Sequence, residues 1–199
     1  MRKGRGMTDT TLDQPLDHHR PEDFSGLPGN LMMWILILSE LVVFGVALVG
    51  FAVARAFDPA TFDLGQAHLD RLLGGLNTLV LVTSGYIAAL GVEAGRKGLP
   101  GKASRLFIAA SAVGCVFLVI KVMEYSATIS AGYTIDSDAF FGLYFMLTGF
   151  HALHVVFGIG LLLVVARWNS MENLETGAAF WHMVDLIWVV LYPIVYLIR

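Results

Sequence analysis

Seven ionisable side chains lie inside long apolar stretches of this chain: Glu40, Lys121, Glu124, His151, His154, His182 and Asp185. Charge in hydrocarbon is costly, so each needs a partner or a purpose. Their types and spacing admit three kinds of chemistry: proton handling by an acid or an imidazole, ion pairing that braces helices, and ligation of a metal or haem.

Glu40, in Ile37-Leu38-Ser39-Glu40-Leu41, is the only charge in its stretch. It reads either as a neutral or His154-bonded carboxyl that fixes helix packing, or as a carboxyl that handles protons. Lys121 and Glu124 are three residues apart on one helix face, so they can pair and lower the cost of holding either in the membrane. His151 and His154, in Gly149-Phe150-His151-Ala152-Leu153-His154-Val155, share the same spacing and invite a metal or haem reading. Two considerations weigh against it. A di-metal carboxylate bundle needs Glu-x-x-His pairs on two helices, and these are missing. Bis-histidine haem needs imidazoles at similar depth, whereas counting along the spans leaves His182 too shallow by about 12 Å or more. His182 and Asp185, in Phe180-Trp181-His182-Met183-Val184-Asp185-Leu186-Ile187-Trp188, form a further same-face pair. The flanking Phe180, Trp181 and Trp188 read as interfacial anchors or as a packing surface for a partner.

The elements that position these residues follow from composition. Of 199 residues 56% are hydrophobic and only 15% charged, which is outside the range of ordinary soluble domains. A bilayer core about 30 Å thick takes roughly 20 apolar residues of helix. Five such runs are present, at about Leu31–Ala54, Leu72–Val92, Leu106–Ala127, Ala139–Ala166 and Ala178–Ile198, the fourth long enough to require tilt or an interfacial end. They are apolar on every face and lack the period-two alternation of barrel strands, so the expected fold is all-α: a polytopic bundle of five transmembrane helices. Cys115 is the only cysteine, which excludes an intrachain disulfide, a two-cysteine copper centre and a four-cysteine cluster. Gly85 with Ala89, and Ala110 with Gly114, follow the small-x-x-x-small spacing of closely approaching helices.

Residues 1–28 are polar, carry Pro15, Pro21 and Pro28, and contain no signal-peptide core; a disordered cytoplasmic tail is expected there and a membrane domain over 29–199. Arg2, Lys3 and Arg5 ahead of Met7 leave Met1 and Met7 as alternative starts. Nine lysines and arginines (Arg2, Lys3, Arg5, Arg20, Arg96, Lys97, Lys102, Arg105, Arg167) fall on one side of the spans, against Arg55, Arg71 and Arg199 on the other. That bias places the N-terminus in the cytoplasm and the C-terminus outside. Counting inward puts Glu40 about 14 Å and His154 about 18 Å from the inner face, close enough to meet, with His182 and Asp185 at about 6 and 10 Å and Glu124 at about 27 Å.

Five segments, in order on the five spans, resemble subunit III of the haem–copper oxidases: Ile37-Leu38-Ser39-Glu40, Leu76-Asn77-Thr78, Glu124-Tyr125, Gly149 to Val155 and Phe180 to Trp188. The resemblance runs from about Gly29 to the end. It implies an accessory subunit of a bacterial-type inner membrane, with no haem, copper or other metal of its own, docked on a haem-bearing subunit I. Haem and copper, or haem and non-haem iron, then belong to that partner. Membrane lipids, including a structural phospholipid, are compatible with it, and no nucleic acid is expected. In the family, the acid matching Glu40 is associated with carbodiimide reactivity, lipid and proton uptake. Many relatives have seven helices; the first two are missing here, so the lipid-filled cleft they form is not carried over. Asn77-Thr78-Leu79 and Ile120 to Ser126 look more like the branch associated with nitric oxide reductase in denitrification. Two readings from other classes remain open: an independent proton-conducting or solute-carrying bundle, and a dihaem cytochrome using His151 or His154 with His182.

Overall fold

The computed structural model describes residues 31–198, and the expected tail and the choice between Met1 and Met7 lie outside them. The described chain forms α1 (Leu31–Phe57), α2 (Pro59–Ala67), α3 (Arg71–Arg96), α4 (Pro100–Ser130), α5 (Ala139–Arg167) and α6 (Met171–Tyr192), followed by a π-helical turn, Pro193–Leu197. Among the described residues five helices are long and apolar enough to cross a membrane, as expected. Their outward faces suit lipid and not water: Val42, Val46 and Val49 on α1, Val119 and Val122 on α4, and Leu153 and Val156 on α5 are all exposed.

The helices outrun the apolar runs that announce them. α4 begins at Pro100, six residues ahead of the expected Leu106, because Pro suits a first helical turn and the polar Lys102 and Arg105 extend the helix beyond hydrocarbon. α6 begins at Met171, seven residues ahead of the expected Ala178, with Ser170 capping the Asn173 amide and Glu172 in the first turn. Packing of α6 on α5, with the Trp181 ring against Gly158 and Trp188 stacked on His151, sets His182 and Asp185 at the level of the His154 turn, which corrects the shallower depth counted for them from Ala178.

α2 was not expected at all. Asp58 caps it, accepting from the Thr61 amide (3.3 Å) and hydroxyl (2.6 Å), and Pro59 opens it. Phe62 is its anchor, fully buried with ring centroids 5.1 Å from Phe51 and 5.6 Å from Phe140. Gln66 reaches the π turn by donating to the Val195 carbonyl at 2.9 Å. Where α3 and α4 end, Gly98 (φ 70°) and Gly132 (φ 93°) adopt left-handed backbone, and the next amides, Leu99 and Tyr133, reach back to Ala94 and Thr128 carbonyls.

α3, α4, α5 and α6 make the main body, with the longest seam between α3 and α4. α1 lies outside it against α5 and α6, and buries Ile37, Phe44 and Phe51 at seven-residue intervals, the narrow stripe of a 3.5-residue period. Trp181 bolts the body together from α6. Its indole is wholly buried between Gly114 of α4 and Gly158 of α5, where added Cβ atoms would come within 2.9 and 2.7 Å of the ring. The Trp181 indole N–H donates to Ser84 Oγ (3.1 Å), which in turn donates to the Ala110 carbonyl (2.7 Å). Ala110 and Gly114 thus do serve close approach, as their spacing suggests. Trp188 is equally buried and donates to Thr78 Oγ1 at 3.0 Å. Phe180, Trp181 and Trp188 are therefore core residues, and the reading of them as interfacial anchors or as a partner-facing surface is overturned. Three neighbouring helices, α3, α4 and α5, offer small residues and hydroxyls that fit their large rings.

Candidate functional site

The seven candidate residues resolve into three polar centres plus one isolated imidazole. The most enclosed centre is built on α4. Lys121 and Glu124, one helical turn apart, pair at 3.2 Å and are 1% and 4% exposed. An ammonium has three hydrogens, and Lys121 uses all of them: on Glu124 Oε2 (3.2 Å), the Tyr196 hydroxyl (2.7 Å) and the Tyr144 hydroxyl (3.3 Å). Both phenols pass the interaction on, donating to Glu124 Oε1 at 2.8 Å (Tyr144) and 2.5 Å (Tyr196). Every donor meets an acceptor, and the carboxylate accepts from three groups. Four rings, of Tyr125, Tyr144, Trp188 and Tyr196, hold centroids 5.0–5.4 Å from the ammonium and present the π faces that favour a desolvated cation. Tyr125 is held in turn by Thr148 (2.6 Å), whose hydroxyl donates to the Tyr144 carbonyl (2.6 Å).

The expected pair is thus present. Its four aromatic partners were not foreseen, because a tyrosine inside an apolar run reads equally well as an interfacial residue. The available signal was that a lone lysine–glutamate pair leaves donors and acceptors unfilled at that depth.

The second centre joins α1 to α5. Glu40 Oε2 lies 3.1 Å from His154 Nε2, as the depth count allowed. His154 Nδ1 is 2.9 Å from the Phe150 carbonyl, so that nitrogen must carry a hydrogen and donate it. The Glu40–His154 contact then needs one proton between a carboxylate and an imidazole nitrogen, resting on either. Phe44 and Phe150 cover the imidazole at 5.3 and 4.6 Å, and the pair opens on a groove lined by Leu36, Leu153, Phe157 and Phe180.

The third centre is on α6. His182 Nδ1 is 3.7 Å from Asp185 Oδ2, a looser pair beside Gly85 of α3, where a methyl would strike both side chains.

His151 and His154 do not converge, although one turn apart. They flank the Phe44 ring, and His151 turns inward, fully buried, stacked on Trp188 at 5.0 Å and edge-on to Phe117 at 5.7 Å. Neither of its ring nitrogens has a hydrogen-bond partner among the described residues. The depth argument against a His182-containing haem pair does not survive this packing of α6 on α5, but the three imidazoles face Trp188, Glu40 and Asp185 separately. No group of three or more His, Cys, Asp or Glu that could hold a metal occurs among the described residues.

The fold and these centres define a multi-pass helical membrane protein whose intramembrane polar residues tie its helices to one another. The sequence profile described as Cytochrome c oxidase subunit III matches residues 15–198. Among curated proteins, the cytochrome c oxidase subunit 3 of Synechocystis sp. is 30% identical over 174 residues, covering 82% of this chain and 73% of the relative. That of Thermostichus vulcanus is 29% identical over 194 residues, 92% of each chain, and that of Corynebacterium diphtheriae is 27% identical over 175 residues, 83% of this chain and 85% of the relative. The chain belongs to the cytochrome c oxidase subunit III family. The resemblance to the nitric-oxide-reductase-associated branch gains no support from these relatives.

Proposed function

We propose that this chain is the accessory, non-redox third subunit of a respiratory haem–copper oxidase in a bacterial-type inner membrane. Residues 29–199 act as one membrane domain with the N-terminus cytoplasmic, and they stabilise a haem-bearing subunit I that carries the haem and copper. The observation that carries this reading is the family match over residues 15–198. The Lys121 cage and the Trp181 bolt support a bracing role, since both spend their polar groups on hydrogen bonds between parts of the bundle. Glu40 and His154 support proton uptake: they hold one exchangeable proton at the edge of the bundle, in a contact that opens on a groove.

Purification in mild detergent tests the reading. The chain should be retained with a haem-bearing core subunit, and reproducible isolation of a stable monomer free of any haem protein would overturn it. Within the complex, Glu40→Ala should shorten the number of turnovers before inactivation while leaving electron delivery unchanged.

A further inference from the structure

The lipid-facing surface carries ionisable side chains between α1 and α5, where Glu40 and His154 pair with each other, and again between α3 and α6. There, Val82, Tyr86, Ala89, His182, Asp185 and Leu186 line an open groove of about 400 Å³. Tyr86 is 64% exposed and makes no hydrogen bond among the described residues, and the His182 side chain is 46% exposed. Asp185 is 8% exposed and accepts no hydrogen bond among the described residues: Oδ1 is enclosed by this chain, while Oδ2, the less enclosed oxygen, has His182 Nδ1 no nearer than 3.7 Å. Tyr86 and Asp185 are 15 and 14 residues into helices of 26 and 22 residues, so an acid, a phenol and an imidazole meet lipid near mid-membrane. Other exposed hydroxyls differ in kind, since Ser39 and Thr83 bond carbonyls of their own helices at 2.8 and 2.7 Å.

Acyl chains offer nothing to a carboxyl in want of a donor, whereas a neighbouring helix can supply one. We propose that this α3–α6 groove receives a transmembrane helix of the haem-bearing core subunit, which presents a hydroxyl, amide or guanidinium donor to Asp185 Oδ2. The proposal rests on the accessory-subunit reading and adds the docking face and the chemistry of its occupant. Gly85 shapes the site, since the space a side chain would fill there is taken by Asp185 and His182. Val82, Ala89, Leu186 and Val189 supply the apolar contact around the donor.

Photo-cross-linking in the intact complex tests this. A photoreactive residue in place of Tyr86 or of Val189 should capture the haem-bearing subunit, and one in place of Val46 on α1 or Val119 on α4 should not. In parallel, Asp185→Leu should lower retention of the chain by the core subunit about three- to fifteen-fold, the range of one interhelical hydrogen bond in a membrane, with Asp185→Asn intermediate. Capture of the haem subunit from Val46 or Val119 alone would overturn the docking face and leave the accessory role standing. Capture of a second copy of this chain from Tyr86 and Val189, or of no protein because lipid covers the groove, would overturn it too. Failure of any haem protein to co-purify would instead remove the functional reading itself.

Discussion

Replacing Lys121 by methionine keeps the length and volume of the side chain and deletes one charge from the most enclosed place in the bundle. The three hydrogen bonds and four ring contacts of the ammonium disappear together, and Glu124, 4% exposed, is left facing two phenols with no cation. Breaking a buried pair by removing one partner costs about 3–5 kcal/mol, more than the bonds alone, because the remaining charge stays desolvated. In Lys121→Met/Glu124→Gln the surviving amide oxygen can still accept from Tyr144 and Tyr196, and no charge remains buried. The double variant should therefore recover about 2 kcal/mol or more of the loss. The assay is equilibrium unfolding of the purified protein in mixed micelles, with the unaltered protein and both variants measured in the same detergent. A single-variant loss under about 1 kcal/mol, or a double variant no better than the single one, would refute the idea that a closed ring of compensated charge sits here.

Gly158→Ala should cost about 1–3 kcal/mol by driving a methyl into the Trp181 indole, and Trp181→Phe in the same chain should relieve part of that loss in a thermal melt. Glu40→Ala and His154→Ala should each weaken the packing of α1, with the double variant no worse than either single one; additive losses in protease accessibility of α1 would separate the two residues. Two hydrogen bonds from Thr61 hold the Asp58 carboxyl below its ordinary 3.8, so the cap of α2 is present above that value and is lost only as pH falls through the lowered one. Protection of the Thr61 amide, measured against its intrinsic exchange rate at each pH, should fall only in that acid window, and Asp58→Asn should abolish that fall. Cysteines placed at Lys97 and at Ser137 should label from opposite sides of intact spheroplasts, Ser137 from outside.

Much of this architecture is legible in the residues because hydrocarbon allows few alternatives. Long apolar runs must be helices, and an i,i+3 lysine–glutamate pair in the middle of one must close on itself. Lys121–Glu124 and Glu40–His154 were accessible by spacing and by depth. What stayed hidden depended on tertiary context. α2 has nine residues and rests on Phe62 filling a hole between α1 and α5, which no local pattern announces. The start of α6 was missed because the segment Met171–Gly177 is polar, and hydropathy marks where lipid begins, not where helix begins. Trp181 and Trp188 were misread for a related reason: an indole with one polar atom suits a membrane interface, and also suits a core that offers a serine or threonine hydroxyl.

The order in which the chain is made gives the Lys121 cage another significance. Tyr196, which closes the ring, follows Lys121 by 75 positions. At roughly 5–20 residues per second, the ribosome takes on the order of 4–15 s to travel that distance. During that interval the cation has left the ribosome ahead of half of its aromatic surround, in a helix that cannot yet rest stably in lipid. The first four spans should therefore linger at the insertion machinery as a half-built hairpin set, and release should wait for the final turn to swing in. A nascent chain stalled before Tyr196 would remain bound to the translocon, whereas one given a C-terminal extension long enough to carry Tyr196 clear of the ribosome would have moved away.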